Sequence, residues 1–266
     1  MRIDSHIQIP NGILKHFRDE STPQKKVWYL DLESCEIGAE SSRNLGTKRG
    51  YYSTEMEEYL NKKVETPITA FNSRIRKALN DGTQNVSVSE EEIYAFKIYI
   101  KSALSRSGLA YSTYQDECYS SILFSDQANH DILVQLGLTQ TGSIDKIIES
   151  MDMTILVNCT ARNLVVPRNC FYTVPTLNSY SLVAPISPNI ALVLLPAEHP
   201  TYGTNQGVLI ESVEEIEQMN RAALKYDYVF NKSFIASASK PELQSLQEYL
   251  QLHRTDLEHL RHETMQ

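Results

Sequence analysis

The chain has no apolar run approaching about 18 residues, so no membrane-spanning helix is expected. It carries no glycine-rich phosphate loop, no dinucleotide fingerprint and no Gly-x-Ser-x-Gly elbow. A serine–histidine–aspartate set assembled from distant positions stays open. Cysteine is scarce: Cys35, Cys118, Cys159 and Cys170 match neither a zinc ribbon nor a thioredoxin-like pair. The start shows no secretory pattern, so reduced thiols and a cytoplasmic location are the expectation, with a Cys159–Cys170 bridge as the alternative. Positive charge is in deficit, with 25 Lys and Arg against 33 Asp and Glu, a formal charge of -8. That disfavours broad capture of duplex DNA or anionic membranes and leaves room for a small basic groove. Tryptophan occurs once and phenylalanine 7 times, whereas tyrosine occurs 15 times. Such a bias favours half-buried aromatic faces with polar rims.

The 266 residues, 41% of them hydrophobic, suffice for a sizeable core. The pattern predicts an α+β fold. Its N-terminal half is helix-rich with a small hairpin, its C-terminal half holds an antiparallel or mixed sheet, and an amphipathic helix ends it. Residues 1–240 read as one mixed domain, a subdivision near 152 being the other option, and 241–266 as the terminal helix. Residues 6–17 read as a short helix or turn started by Pro10, with Ile13, Leu14 and Phe17 facing inward. Val27–Leu32 reads as a strand, Cys35–Ile37 as its hairpin partner and Gly46–Tyr52 as a loop. Thr54 and Glu57 fit a capping box opening a helix that Pro67 kinks or restarts and that Asn80-Asp81-Gly82 stops. Ser89 and Glu92 fit a second box before a helix over 90–106. Residues 111–150 read as mostly helical.

Beyond Met153, strands are expected at Thr154–Asn158, Asn163–Val166, Phe171–Val174 and Ile190–Leu195. Ser212 and Glu215 form a third capping box, and Tyr228–Phe230 reads as a strand after that helix. Leu243, Leu246, Leu250, Leu257 and Leu260 approach a heptad spacing with His253 in the vacant place. This tail suits either a homodimer helix or packing against its own domain.

The chemistry-bearing residues cluster in the first third. On a helix, Glu57 and Glu58 each lie near the face of Glu65. Two carboxylates and His6 suit Mg²⁺ or Mn²⁺, or the activation of water. Arg106, at the end of its helix, suits a two-pronged phosphate contact. The competing reading is structural: Glu57 paired with Thr54, Glu65 with Lys62, Lys63 or Arg106, and His6 as a cap. Lys48-Arg49-Gly50-Tyr51-Tyr52 joins charge to rings, which suits a nucleotide or single strand, and equally a solvated loop. Lys48, Arg49 and Tyr52 are its ligand-binding candidates. His130-Asp131 and Glu198-His199-Pro200 are weaker: the first pair points apart on a helix, and the second fits an ordinary turn.

In this order the blocks resemble the family called Domain of Unknown Function 4238. Its opening histidine, proline, leucine and phenylalanine are matched by His6, Pro10, Leu14 and Phe17. Val27–Leu32, the acidic helix with Glu57, Leu60 and Glu65, and the helix ending at Arg106 follow. The later asparagine-bearing helix is matched by Ile216–Ala223, which makes Asn220 a further ligand-binding candidate. The similarity spans roughly residues 6–235. One departure is clear: Thr173-Val174-Pro175 stands where the family has an aspartate before the proline. The resemblance implies no settled activity. Two functions are expected: a metal-dependent hydrolase of a phosphodiester or nucleotide, or a non-enzymatic ligand-, nucleic-acid- or protein-binding protein in stress or phage defence.

Overall fold

The computed structural model describes residues 4–6, 9–49, 51–81, 86–106, 143–175, 180–196 and 207–264, with backbone only at 4–6, 49 and 143–145. The expected α+β architecture is present, with two larger sheets and a small two-stranded one. Strand β1 (Asp4–His6) pairs antiparallel with β4 (Thr47–Arg49), placing His6 opposite Thr47. The stretch read as a loop therefore holds a strand. Three residues carry no periodicity, and the partner lies forty residues away.

Helix α1 (Asn11–Leu14) tightens into a 3-10 turn over Lys15–Phe17, and Ile13, Leu14 and Phe17 are fully buried. The hairpin of β2 (Val27–Asp31) and β3 (Ile37–Glu40) forms as expected. It is the start of a four-stranded antiparallel sheet, β3-β2-β11-β6, with β6 at Val166–Pro167 and β11 at Phe234–Ser237. This sheet draws strands from both sides of residue 152, and one apolar core runs from Ile9 to Leu257.

The second sheet runs β10-β5-β9-β8-β7. Its strands are β5 (Asp152–Asn158), β7 (Tyr172–Pro175), β8 (Tyr180–Ser187), β9 (Ile190–Leu195) and β10 (Gly207–Ile210). Only β10 is parallel to its neighbour β5, so the sheet is mixed. The pattern did not reveal β8 or β10. Pro185 sits inside β8, where the register shifts between Pro185 and Ser187, and such an irregularity is how a strand accommodates proline. Residues 163–165, read as part of a strand, are irregular.

Ser53, not Thr54, caps α2 (Thr54–Leu60): its hydroxyl accepts from the Met56 amide at 3.1 Å. The expected Thr54–Glu57 box is therefore not formed. The chain then widens into a π turn (Asn61–Glu65) and continues as α3 (Thr66–Asn80), with Pro67 harmless in its first turn. Helix α4 (Glu90–Ser105) opens on the expected box: Ser89 Oγ accepts from the Glu92 amide and Glu92 Oε2 from the Ser89 amide. Of the segment 111–150, only α5 (Ser143–Ser150) is described; Cys118, His130 and Asp131 lie outside the described residues, as do Glu198, His199 and Pro200.

Helix α6 (Val213–Phe230) is capped by Ser212, as expected. Tyr228–Phe230, read as a strand, form its last turn. Tyr226, Tyr228 and Val229 are buried there, and helix packing outweighs their β propensity. The terminal helix α7 (Lys240–Thr264) lies against α6, β2 and β11. Leu243, Leu246, Leu250 and Leu257 are buried, while Leu252 and Leu260 are exposed. Gln247 Nε2 donates to the Cys35 carbonyl at 2.7 Å, and Arg261 Nη1 to the carbonyls of Tyr228 and Val229. Among the described residues, no helix is long and apolar enough to cross a membrane.

One buried contact beneath α3 has a pH signature. His16 Nδ1 meets the Arg76 guanidinium, and burial, then Arg76, push its pKa down to about 4. The unfolded imidazole titrates near 6.5, so its contribution to stability is complete above that value. It is lost as pH falls through about 4. His16→Gln should flatten this limb: the difference in urea midpoint between wild type and variant narrows on acidification. An unchanged difference between the two limits would contradict a neutral buried His16.

Candidate functional site

Three segments converge on a buried polar cluster: the α2–π–α3 rod, the end of α4 and the turn between β6 and β7. Glu65, Tyr99, Arg106 and Cys170 stand within one another's fields; Glu57 acts on Glu65, and Tyr52 adds to the field at Arg106. In a regular α-helix, residues eight apart are about 80° out of line. An i→i+5 turn advances less per residue, so the π turn swings Glu65 back over Glu57. It also leaves Glu58 exposed on another face.

Burial pushes the Glu65 carboxyl above its ordinary range; Arg106 pulls it back and Glu57 pushes it further up. Burial opposes the charge on Arg106, yet Tyr52, Cys170, Glu65 and Tyr99 together favour it, and its pKa is raised. Arg106 caps α4 and donates through Nε to the Ser102 carbonyl at 3.1 Å. Tyr99, seven residues before Arg106, shares its helix face. Burial lifts the Tyr99 hydroxyl well above its ordinary pKa and the Cys170 thiol up to about 12, so both keep their protons.

Cys170 adopts φ +68°, a left-handed conformation costly for a residue with a side chain. Its amide closes the turn on the Pro167 carbonyl at 2.9 Å. Beside it, Asn169 is fully buried with neither amide atom in hydrogen-bond geometry to a group among the described residues, although it stands near enough the Tyr226 hydroxyl to lower that pKa. Asn72, seven residues beyond Glu65 on the same face of the rod, is likewise fully buried with no partner for its amide among the described residues. Buried polar atoms without partners are uncommon, and they concentrate where a protein does chemistry.

The structure thus brings Glu57, Glu65 and Arg106 together. Tyr52 is buried, edge-on to Tyr51 at 4.8 Å, and belongs to the cluster's surroundings. Lys48 is exposed, 5.4 Å from the Tyr51 ring centroid. The backbone of His6 and Arg49 is set by the β1–β4 pair, and their side chains lie outside the description. Asn220 is remote in role: Oδ1 accepts from the Val165 amide at 3.0 Å and Nδ2 donates to the Asn163 carbonyl at 2.8 Å. It straps the irregular 163–165 segment to α6. Thr173 and Val174 lie half-buried in β7. Sequence reasoning missed Tyr99, which the seven-residue spacing could have shown, and Cys170, whose backbone conformation has no signal in the chain.

Among the described residues, no group of three or more His, Cys, Asp or Glu is placed to hold a metal. Glu57 and Glu65 supply two carboxylates, with Arg106 already offsetting charge. Such a pair suits Mg²⁺ or Mn²⁺ where substrate phosphate oxygens complete the shell. Cys35, Cys159 and Cys170 are free thiols, so the alternative Cys159–Cys170 bridge is not formed. In fold and site the protein is an α+β protein with a buried acid–arginine cluster. No family model, curated protein or solved structure matches the chain.

Proposed function

We propose that the Glu57–Glu65–Arg106 cluster is the centre of a hydrolase acting on a phosphodiester or nucleotide. The observation that carries this reading is the Glu65 carboxyl: burial raises its pKa beside a buried guanidinium, on a π turn that aligns it with Glu57. A carboxyl raised by burial holds a proton more firmly than an ordinary one and suits proton transfer to or from a substrate. Arg106 offers paired donors to phosphate oxygens. Glu57 tunes Glu65 by repulsion. Where Mg²⁺ or Mn²⁺ is bound, Glu57 and Glu65 would hold it, and it supplies Lewis-acid charge to the phosphate. That state needs Glu65 ionised, which Arg106 favours. His6 joins as a proton shuttle on the order of the sequence blocks alone.

The competing reading is a binding protein of stress or phage defence, in which Lys48 and Tyr51 present a cation and a ring at the surface. Exposed Leu252 and Leu260 on α7 would then be the surface for a homodimer. Three free thiols support a cytoplasmic location for either reading.

The test is turnover of bis(p-nitrophenyl) phosphate and a nucleotide panel by the full chain, with Mg²⁺, with Mn²⁺ and with chelator. Glu65→Gln should lower kcat at least about 100-fold with unchanged circular dichroism. Wild-type protein that turns over none of these esters, or a Glu65→Gln protein at full rate, would sink the hydrolase.

A further inference from the structure

A groove of about 580 Å³ opens between the end of the β7–β8 pair, α6 and α7. It is lined by Tyr180, Arg221, Lys225, Tyr226, Phe230 and Tyr249, among others, and no carboxylate is among its described lining residues. In a chain of net charge -8 this is a local reversal of sign. Arg221 and Lys225 lie one helical turn apart on α6, both exposed, 5.2 and 5.8 Å from the Tyr249 ring centroid. Arg221 is shared with Glu217 at 3.7 Å, whereas Lys225 has no carboxylate in ion-pair range among the described residues. Tyr180 is 61% exposed at the rim and makes no ring contact among the described residues.

We propose that this groove binds a nucleoside phosphate, its base stacked on Tyr180 and its phosphate held by Lys225 and Arg221. The volume is that of a small-ligand site. An exposed ring beside two cations is the combination that receives a base and its phosphate together. An acidic peptide would satisfy the cations but leave the Tyr180 ring without a role. The groove does not depend on the hydrolase reading. The two sites meet at one short segment: Cys170 faces the Arg106 cluster, the Phe171 ring contacts Tyr226 at 5.6 Å, and Thr173 lines the groove.

Calorimetric titration of the full chain with AMP, adenosine, inorganic phosphate and an aspartate-rich peptide tests this. AMP should bind more tightly than adenosine or phosphate alone. Lys225→Gln and Tyr180→Ala, both at exposed positions, should each weaken AMP about tenfold. Lys77→Gln, at an exposed cation on α3 outside the groove lining, should leave AMP binding unchanged. The groove is overturned by absent AMP binding, by AMP binding that Lys225→Gln and Tyr180→Ala both spare, or by a peptide that binds more tightly than AMP.

Discussion

Replacing Arg106 with leucine is expected to destabilise the protein by about 3–5 kcal/mol near neutral pH, the cost of stranding a buried charge. Glu65 is the charge at stake. Its folded pKa is already raised by burial, and Arg106 is what restrains it. A carboxyl with a raised folded pKa binds its proton more tightly in the native state. Its contribution to stability is therefore complete below the unfolded value and is lost as pH rises through the folded one. Without Arg106 the folded pKa climbs further, so the deficit of Arg106→Leu should grow with pH and shrink toward the ordinary Glu range, about 4.3. Adding Glu65→Leu should recover much of the loss, because an apolar pair of similar volume replaces both charges. Urea unfolding of the two single variants and the double variant at acid and neutral pH measures the cycle. A deficit that ignores pH and survives Glu65→Leu would mean that Arg106 works through packing and the Ser102 carbonyl, not through Glu65.

Deleting Lys240–Thr264 is expected to abolish cooperative unfolding altogether. Leu243, Leu246, Leu250 and Leu257 are buried against α6 and the β2–β11 pair. Each fully buried leucine contributes about 1.5–3 kcal/mol. Four of them rival the whole net stability of a domain, about 5–15 kcal/mol. The deletion also removes Gln247 from the Cys35 carbonyl and Arg261 from the last carbonyls of α6. A detachable dimer helix would give a different result: a monomer with a sharp melting transition. That outcome would remove α7 from the core.

Part of this was legible along the chain. Ser89 and Glu92 cap α4 as read because both partners lie within one turn. The β2–β3 hairpin needs only a short local turn. Glu57, Glu65 and Arg106 were singled out by residue type and order, and Glu65 stands in the field of both others. The reason offered for their meeting was incomplete. Regular helical spacing favours Glu58, seven residues before Glu65, over Glu57, and the π turn reverses that choice. Ser53 displacing Thr54 as the cap shifts the start of α2 by one residue, in keeping with the preference for serine over threonine at that position. Asn220 looked like a ligand group by resemblance, yet its amide is spent on the backbone at 163 and 165.

The sequence by itself determined the class, the capped helices, the hairpin and the set of acid and arginine side chains, because each rests on contacts within a few residues. Only the tertiary structure decided the rest. The partners of β1 and β10 are distant in sequence, so no local period marks them, and β8 is interrupted by Pro185 and a register shift. The π turn and the left-handed Cys170 are conformations that packing imposes on chains able to adopt others. The raised pKa of Glu65 comes from water excluded by segments distant in sequence, and exclusion of water is a property of the assembled core.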